Sequence, residues 1–362
     1  MKLILLIRIR KMTKILKFPF LLAKKIMFLF YLYSKTNFEG LVKDENCDII
    51  VWTPKFNWKY FYSERLLTDL AYINSLSNKG VKFRRVKALD IGNYWGKTIY
   101  LPYDKYDKTF GLVDYTKQLF LIISELKKQN NVVYPKFNEY LLWENKAYMH
   151  EKFEVLKIPH PNTRIFHSFD DMVPLKPDFP FLIKEVHSCS ANGVYKINNE
   201  ADLISIRKSL TGTTFLVQQL LNMRRDLRVT IVGDKIVHFY WRINKANEWK
   251  PTSTGHGSSV DFVNFPEKWR VFIIEQFLKL KIVTGAFDIA WENDDLNTIP
   301  LILEISPTYQ LNPVTTNSKY LQAYGEYKKY SYFGKDSYTN QYIAQTFDVI
   351  DKIVEQRLNN KN

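Results

Sequence analysis

Two acidic residues lie within apolar runs near the end of the chain, where their side chains could do chemistry. Asp288 stands in Gly-Ala-Phe-Asp-Ile and Glu304 in Leu-Ile-Leu-Glu-Ile. An acid in an apolar strand carries a large desolvation cost unless a cation or hydrogen bonds compensate. Two such acids on adjacent strands would form a hard oxygen site suited to magnesium. Each acid alone is better explained by outward alternation to solvent or by a lysine partner.

Cations occupy comparable positions upstream. Lys184 ends the apolar run Phe-Leu-Ile-Lys and precedes a loop of small polar residues, 188–193. Such a lysine can hold phosphate oxygens while the loop offers backbone N–H groups. Arg228 and Arg242 lie on two predicted strands joined by a Gly-Asp turn, and their planar donors can grip a carboxylate or a phosphoryl group. A surface salt-bridge face is the alternative for the two arginines.

The patterning predicts two kinds of unit that must position these residues. An α/β unit of roughly a hundred residues comes first, with strands at 47–52 and 81–91 and helices at 63–77 and 115–128. A helix over 138–156 ends before two prolines, which prevent its continuation. Strands then predominate, at 181–184, 194–197, 215–221, 229–232, 235–242, 285–292 and 299–305, with helices at 267–280 and 342–358.

Several loose motifs occur in a consistent order along the chain. They are Asn145-Lys146, Ile158 to Thr163, Phe181 to Lys184, Val217 to Leu221, Asp226-Leu227-Arg228, Arg242, Asp288 and Glu304. In this order the sequence resembles the ATP-grasp family over roughly residues 136–313. It is most similar to the branch of ribosomal-protein-modifying glutamate ligases and related amino-acid ligases. The resemblance implies an α/β (α+β) ATP-grasp fold, in which a first α/β domain precedes two α+β subdomains that clamp ATP.

The resemblance also implies a role for each matching residue. Those expected to bind ATP are Lys146 and Lys184 at the phosphates, Ser188, Ser190 and Gly193 in the covering loop, Gln218, Gln219, Leu220 and Leu221 in the adenine-binding hinge, and Asp226. The expected catalytic residues are Arg228 and Arg242, the second of which would stabilise an acyl phosphate or its transition state. Asp288 and Glu304 would bind magnesium, with two ions expected.

The sequence departs from the family pattern in the loop and near the second metal position. The loop has a single glycine, Gly193, where relatives are glycine-rich. Ser306 stands where an asparagine usually binds the second magnesium, and Asn312 could replace it only if the intervening turn brings it back. His187 and His256 lie in the two predicted active-site loops and could contact substrate, although solvent exposure explains them as well.

Five segments are predicted from these patterns. They are a basic apolar N-terminal segment 1–38, a pre-grasp α/β domain 39–136, an ATP-grasp lid subdomain 137–214, a C-terminal ATP-grasp subdomain 215–313, and an extension 314–362 with a terminal helix.

The N-terminal segment carries much of the net charge of +15. Residues 1–38 hold nine lysines and arginines and no acid, which leaves a modest surplus elsewhere, so a nucleic-acid partner is not expected. The longest apolar run there has eight residues, whereas about 20 are needed to span a bilayer. The segment could be an interfacial anchor on an anionic membrane, or a helix packed on the body or on a partner in a homodimer.

The resemblance implies an ATP-dependent carboxylate–amine ligase that forms an amide through an acyl phosphate. Its expected partners are a small-molecule or saccharide carboxylate and an amine such as an amino acid. One hypothesis is a uronic-acid sugar of a surface-polysaccharide precursor as the carboxylate. The alternatives are a soluble amino-acid or peptide ligase and a non-catalytic membrane-surface binding protein on an ATP-grasp scaffold. Two cysteines exclude a disulfide framework and favour a cytoplasmic location, either free or peripheral on the inner membrane face.

Overall fold

The structure is a computed structural model of the 362-residue chain. It describes residues 19–20, 22–44, 46–53, 60, 65–87, 91–101, 112–143, 145–176, 178–188, 193–246, 248–331, 333 and 337–359.

The first unit is a four-stranded parallel sheet. Its strands are β1 (Ile49–Trp52), β2 (Arg84–Val86), β3 (Thr98–Tyr100) and β4 (Val132–Tyr134), in the order β2-β1-β3-β4. The helices of this unit are α1 (residues 22–34), α2 (Arg65–Asn78) and α3 (Leu112–Lys128). Within the described residues, the strand predicted over 81–91 is present only as β2, and Ile91–Asn93 form a short 3-10 turn, for which Gly92 and Asn93 are suited. Residues 88–90 lie outside the described part of the chain.

The N-terminal helix α1 is apolar on two sides. Phe28 and Leu32 are buried in the core of the parallel-sheet unit. The opposite side exposes four large apolar side chains, Ile26, Met27, Phe30 and Tyr33, and Phe20 before the helix is exposed as well. No helix among the described residues is long and apolar enough to cross a bilayer. Residues 1–18 and residue 21 of the predicted N-terminal segment lie outside the described part of the chain.

Two helices replace the single helix predicted over 138–156. They are α4 (Phe137–Leu142) and α5 (Lys146–Val155). The break arises because Asn145 caps α5, its side chain accepting a hydrogen bond from the backbone N–H of Tyr148 at 3.2 Å.

The lid subdomain is an antiparallel sheet. Its strands are β5 (Thr163–Phe166), β6 (Phe181–Glu185), β7 (Val194–Ile197) and β8 (Phe215–Gln219), in the order β5-β8-β6-β7. The helices α6 (Phe169–Met172) and α7 (Glu200–Leu210) contribute to its core. The predicted boundary after residue 214 is corrected, because β8 pairs with β5 and β6 and therefore belongs to the lid.

The largest sheet is antiparallel and forms the C-terminal subdomain. Its strands are β9 (Arg225–Val232), β10 (Lys235–Ile243), β11 (Ser259–Asp261), β12 (Thr284–Ala290) and β13 (Leu301–Ser306), in the order β11-β10-β9-β12-β13. Helix α8 (Arg270–Lys279) packs on it together with α5, since Met149 and Phe153 share one core with Leu227 and Phe277. The lid predicted from residue 137 therefore begins after α5.

The chain ends in α9 (Ser318–Gln322), α10 (Tyr324–Tyr330) and α11 (Tyr338–Asn359). Helix α11 includes the helix predicted over 342–358 and lies along α2. Asp351 accepts hydrogen bonds from Ser75 Oγ at 2.6 Å and Lys79 Nζ at 2.9 Å. The last helix thus ties the C-terminal extension to the parallel-sheet unit.

Candidate active site

A row of charged side chains crosses four neighbouring strands of the C-terminal sheet. Arg228 on β9 pairs with Asp288 on β12, and Asp288 pairs with Glu304 on β13. On the other side of β9, Asp226 pairs with Arg242 on β10. Residues that face each other across strands, or alternate along one strand, project from the same face. The sheet therefore collects five residues predicted from the sequence, which we call the polar row: Asp226, Arg228, Arg242, Asp288 and Glu304.

Both arginines of the polar row hold Asp288. Arg228 Nη1 lies 3.0 Å from Oδ1 and 3.2 Å from Oδ2 of Asp288, and Arg242 Nη2 lies 2.9 Å from Oδ2. Arg242 also donates to both carboxylate oxygens of Asp226, through Nε at 2.9 Å and through Nη2. Thr252 makes a side-chain hydrogen bond to Asp226. The two carboxylates therefore hold both guanidiniums in defined positions.

Burial and charge act against each other at Asp288. Burial by itself would raise the pKa of this carboxyl, but the Arg228 and Arg242 guanidiniums outweigh burial and hold the pKa below its ordinary value. Asp288 is consequently an anion at neutral pH. An ionised carboxylate is the form that can bind a divalent cation.

Two lysines lie beside the polar row, Lys184 on the lid strand β6 and Lys146 at the start of α5. Burial lowers the pKa of Lys184, at the end of β6, to about 8, and the charge of Lys146 lowers it further, while Glu304 and Asp288 oppose the shift. Lys184 therefore lies close enough to Glu304 and Asp288 for their charges to interact. Lys146 is buried and donates to the backbone oxygen and, at 3.1 Å, to the Oγ of Ser188. Lys146 therefore holds the first residue of the predicted phosphate-covering loop.

The described ends of that loop are Ser188 and Gly193. Ser188 is buried, and Gly193 has a φ of +66°, where a Cβ would lie 2.7 Å from Glu185 Oε2. The single glycine of the loop thus meets a backbone requirement as well as a steric one. Ser190 lies outside the described residues.

The predicted hinge, residues 218–221, comprises the last two residues of β8 and the two residues after it. Gln218 is buried and donates to Thr163 Oγ1 at 2.8 Å, whereas Gln219 is exposed. Leu221 is buried and Leu220 half-buried. Within the described residues, the N–H groups of Leu220 and Leu221 donate to no other main-chain carbonyl. The hinge between lid and C-terminal sheet therefore has backbone donors available for a ligand.

The two candidates for a second magnesium ligand lie apart. Ser306 is on β13, two residues after Glu304, and pairs with Ala286. Asn312 is buried and donates from Nδ2 to Tyr240 Oη at 2.5 Å, while its Oδ1 has no hydrogen-bond partner among the described residues. Because β10 and β13 are three strand spacings apart, Tyr240 and Glu304 are separated by about 14 Å of sheet. The turn after Ser306 therefore carries Asn312 to the β10 end of the row.

The donor set suits a magnesium ion that arrives with nucleotide. Within the described part of the chain, no three His, Cys, Asp or Glu side chains cluster as a complete metal cage. Asp288 and Glu304 form a pair of neighbouring carboxylates. Magnesium is usually held by one or two carboxylates together with substrate phosphates, so the two acids fit this ion.

The two predicted substrate histidines differ in position. His187 is half-buried next to Ser188, and His256 is exposed in a short turn, Thr254–His256. A third histidine, His150, was not predicted. It is buried, and its Nε2 lies 3.4 Å from Gln218 Nε2. Burial together with the charge of Lys184 holds the pKa of His150 well below its ordinary value. Its spacing of four residues from Lys146 on one helix was a usable signal.

The fold and the site define the class of the chain. Its parallel first domain, antiparallel lid and antiparallel C-terminal sheet with the polar row form an ATP-grasp fold, as predicted. Residues 143–319 match the model of the RimK-like ATP-grasp domain. The chain thus carries a RimK-like ATP-grasp domain, which confirms the family predicted from the motifs.

Individual relatives agree with this assignment. The chain is 27% identical over 233 residues to the alpha-aminoadipate–LysW ligase LysX of Saccharolobus solfataricus, covering 58% of this chain and 80% of the relative. The macrocyclase MdnC of Microcystis aeruginosa, bound with precursor peptide MdnA, superposes with a TM-score of 0.51 at 13% identity over 86% of this chain and 99% of that one. D-alanine–D-alanine ligase from Bacillus anthracis complexed with ATP gives 0.50 at 11% identity, over 85% and 99%. The named ligases agree with the predicted enzyme class, an ATP-grasp ligase.

Proposed function

We propose that the chain is an ATP-dependent carboxylate–amine ligase that joins its substrates through an acyl phosphate. The observation that carries the proposal is the polar row beside Lys184 of the lid and Lys146 of α5: four cations and three carboxylates meet there. A concentration of fixed cations beside a carboxylate pair suits the transfer of a highly charged phosphoryl group.

The proposed reaction has two steps. A carboxylate oxygen attacks the γ-phosphorus of ATP, so that a carboxylate–phosphorus bond forms and ADP leaves. The amine then attacks the acyl carbon, which forms the amide, expels inorganic phosphate and releases a proton. The first step is needed because a free carboxylate has no adequate leaving group, whereas phosphate is a good one.

The residues of this chain divide the work. Lys184 of the lid and Lys146 of α5 hold phosphate oxygens, and the hinge N–H groups of Leu220 and Leu221 face the adenine. Arg228 and Arg242 bind the transferring phosphoryl group, and Asp226 orients Arg242 by accepting two of its hydrogen bonds. Asp288 and Glu304 would hold magnesium, which supplies charge neutralisation on the phosphates. No side-chain nucleophile is required.

The amine in this proposal is an amino acid. The support is that the relatives' names include an α-aminoadipate ligase and a D-alanine–D-alanine ligase. These names support the version of the proposal in which the chain is a soluble amino-acid or peptide ligase. The version with a uronic-acid sugar as carboxylate rests on the basic N-terminal segment alone, since surface-polysaccharide precursors are built at a membrane.

Trapping with hydroxylamine tests the ligase proposal. The purified chain is incubated with Mg-ATP, pooled carboxylates including uronic acids and amino acids, and hydroxylamine, which converts an acyl phosphate into a hydroxamate. We expect carboxylate-dependent hydroxamate and ADP, and their loss in Glu304→Ala. The matched control is Glu275→Ala, an exposed glutamate on α8. An equal yield of hydroxamate from Glu304→Ala would show that Glu304 is not needed for formation of the acyl phosphate.

A second candidate function is favoured by the exposed side of α1. Four large apolar side chains of α1, and Phe20 before it, are exposed, and the half-buried Lys25 precedes Ile26 in the sequence. This combination suits the boundary between anionic headgroups and acyl chains. In this proposal the chain binds a membrane surface, either as a ligase acting there or as a binding protein without turnover. A second copy of the chain is the other possible occupant of this helix face.

A further inference from the structure

Helix α5 carries two buried polar side chains on one face. Lys146 and His150 are four residues apart and are 5% and 3% exposed. The helix packs on the C-terminal sheet, since Met149 and Phe153 lie in the core of that subdomain. At its first residue it also contacts the lid, because the N–H of Lys146 donates to the backbone oxygen of Val186 at 3.1 Å. Helix α5 therefore lies where the lid meets the C-terminal subdomain.

His150 meets the lid through Gln218 of β8. Its Nε2 lies 3.4 Å from Gln218 Nε2. The same amide nitrogen donates to Thr163 Oγ1 at 2.8 Å. Thr163 donates its own hydroxyl hydrogen to the Pro161 carbonyl at 2.7 Å, so it accepts from Gln218. The nitrogen end of the Gln218 amide therefore faces His150, and Nε2 of the ring is the acceptor.

The proton of the neutral His150 ring is consequently on Nδ1. Burial, followed by the charges of Lys184, His160 and Lys146, holds the pKa of this ring well below its ordinary value, so the ring is neutral at neutral pH. Nδ1 is buried and has no hydrogen-bond partner within the described part of the chain. Buried donors are nearly always paired in folded proteins. This N–H therefore marks a position where a bound molecule can supply the acceptor.

The unpartnered N–H lies close to two ammonium groups. Lys184 pairs with Leu216 across β6 and β8, and Leu216 is two residues before Gln218 on its strand. Lys184 and Gln218 therefore project from the same face of the lid sheet. Lys146 lies one helical turn before His150, and the charges of both lysines act on the ring. Such surroundings favour an acceptor that carries negative charge.

We infer that His150 binds the nucleotide, with its Nδ1–H donating to a phosphate oxygen held between Lys146 and Lys184. The inference deepens the proposed ligase function and rests on its ATP-binding part. Phosphate oxygens are strong, charged acceptors, which is the kind of partner that this position favours. A neutral imidazole keeps its N–H at alkaline pH, whereas Lys184, with its pKa lowered to about 8, loses its charge. His150 therefore holds the phosphate independently of the lysine charge.

Nucleotide affinities test the inference without turnover. Binding of Mg-AMP-PNP and of adenosine to the full chain is measured by isothermal titration calorimetry, with no carboxylate substrate present. Loss of one hydrogen bond to a charged phosphate predicts that His150→Leu binds Mg-AMP-PNP about tenfold or more weakly. Its affinity for adenosine should stay unchanged. Equal weakening of both ligands, or no weakening of either, would overturn the inference.

Amide variants distinguish the two ring nitrogens. An asparagine amide reaches the position of Nδ1, and a glutamine amide reaches that of Nε2. His150→Asn should therefore recover part of the affinity for Mg-AMP-PNP that His150→Leu loses, and His150→Gln should not. The reverse order would contradict the assignment of Nδ1 as the donor. The control His167→Leu removes an exposed histidine that contacts Thr214 and should keep both affinities.

A measurement on the unmodified chain decides if His150→Leu does not fold, as judged by its thermal transition. The chain is labelled at its histidine nitrogens and followed by NMR during titration. We expect the Nδ1–H signal of one neutral histidine to shift downfield with Mg-AMP-PNP and not with adenosine, because a phosphate acceptor polarises the N–H bond. Absence of such a shift would overturn the inference.

Failure of the inference is distinguishable from failure of the ligase proposal. Hydroxamate formation by a chain whose Mg-AMP-PNP affinity is the same in His150→Leu would leave the ligase standing and reject the role of His150. Loss of Mg-AMP-PNP affinity in His150→Leu, without hydroxamate from any carboxylate, would keep the role of His150 and reject the ligase proposal.

Discussion

The buried charges of the polar row depend on one another. Asp226, Arg242, Asp288 and Arg228 alternate in sign, and every carboxylate in that series contacts a guanidinium. Burying such a group without a partner costs several kcal/mol. The same contacts that stabilise the row therefore fix the geometry that the proposed phosphoryl transfer needs.

Removing one member of the row should destabilise the fold. Arg242→Met leaves Asp226 buried with its charge uncompensated, and we expect a loss of about 3–5 kcal/mol in the free energy of unfolding. Adding Asp226→Leu removes that charge, so the double variant should lose at least about 1 kcal/mol less than the two single losses combined. Urea denaturation measures all three variants. Additive losses would show that the two residues do not interact.

Lys184 should give the reaction a pH limit. Its pKa is lowered to about 8 by burial, so the side chain loses its charge as the pH rises through that value. We expect kcat/KM for ATP to fall above about pH 8, because this parameter reports ionisations of the free enzyme. In Lys184→Arg the charge persists to high pH, so the fall should disappear. An unchanged profile in Lys184→Arg would assign the limit to another group.

Residue types and spacing predicted four members of the polar row, whereas Asp226 came from the family resemblance and the contacts around the row were not predicted. Asp288, Glu304, Arg228 and Arg242 stood out as charges within apolar strands. The contact between Asn312 and Tyr240 was beyond sequence reasoning, because it depends on sheet order and on the path of the loop after Ser306. The side-chain hydrogen bond between Thr252 and Asp226 could not be predicted for the same reason.

Among the elements, α11 links the C-terminal extension to the first domain. It contacts α2 through Asp351, and it buries Ile353 and Val354 in the core of the parallel-sheet unit. This helix therefore stabilises the first domain.

Truncating a buried residue of α11 should be costly. Ile353→Ala removes three buried carbons, and we expect a loss of about 2–4 kcal/mol in the free energy of unfolding. Glu355→Ala on the exposed side of the same helix should change it by less than about 0.5 kcal/mol. Thermal unfolding followed by circular dichroism compares the two. Similar transitions would show that α11 is not part of the cooperative unit.

Long elements with clear periodicity were predicted well, whereas three-residue strands such as β3 and β4 were missed. Helices α2, α3 and α11 and the hairpin β9–β10 match their sequence patterns. The strands β3 and β4 have only three residues each, too few to show a period. The sheet membership of β8 depends on pairing between distant segments, which explains the misplaced lid boundary.

At the scale of the whole molecule, α1 presents an apolar face on the outside of the first domain. Phe30 is 76% exposed there, next to a sequence with nine cations in its first 38 residues. Isolated exposed apolar residues are ordinary, but a continuous stripe beside cations indicates a surface that another phase or molecule covers.

Vesicle binding should depend on this stripe. We expect the full chain to cosediment with phosphatidylglycerol vesicles and less with phosphatidylcholine vesicles, and Phe30→Asp to weaken binding severalfold because it places a charge in the acyl boundary. The control Val263→Asp alters an equally exposed apolar residue on the C-terminal subdomain and should have no effect. If Phe30→Asp instead converts a dimer into a monomer, the stripe is an interface between copies.

The most direct test of the central claim follows the carboxylate oxygen. The carboxylate that supports hydroxamate formation is labelled with heavy oxygen and incubated with Mg-ATP and the amine, and the released phosphate is analysed by mass spectrometry. An acyl-phosphate mechanism predicts one labelled oxygen in each inorganic phosphate, because the bond between carbon and that oxygen breaks when the amide forms. Label recovered in AMP, or phosphate without label, would contradict the mechanism.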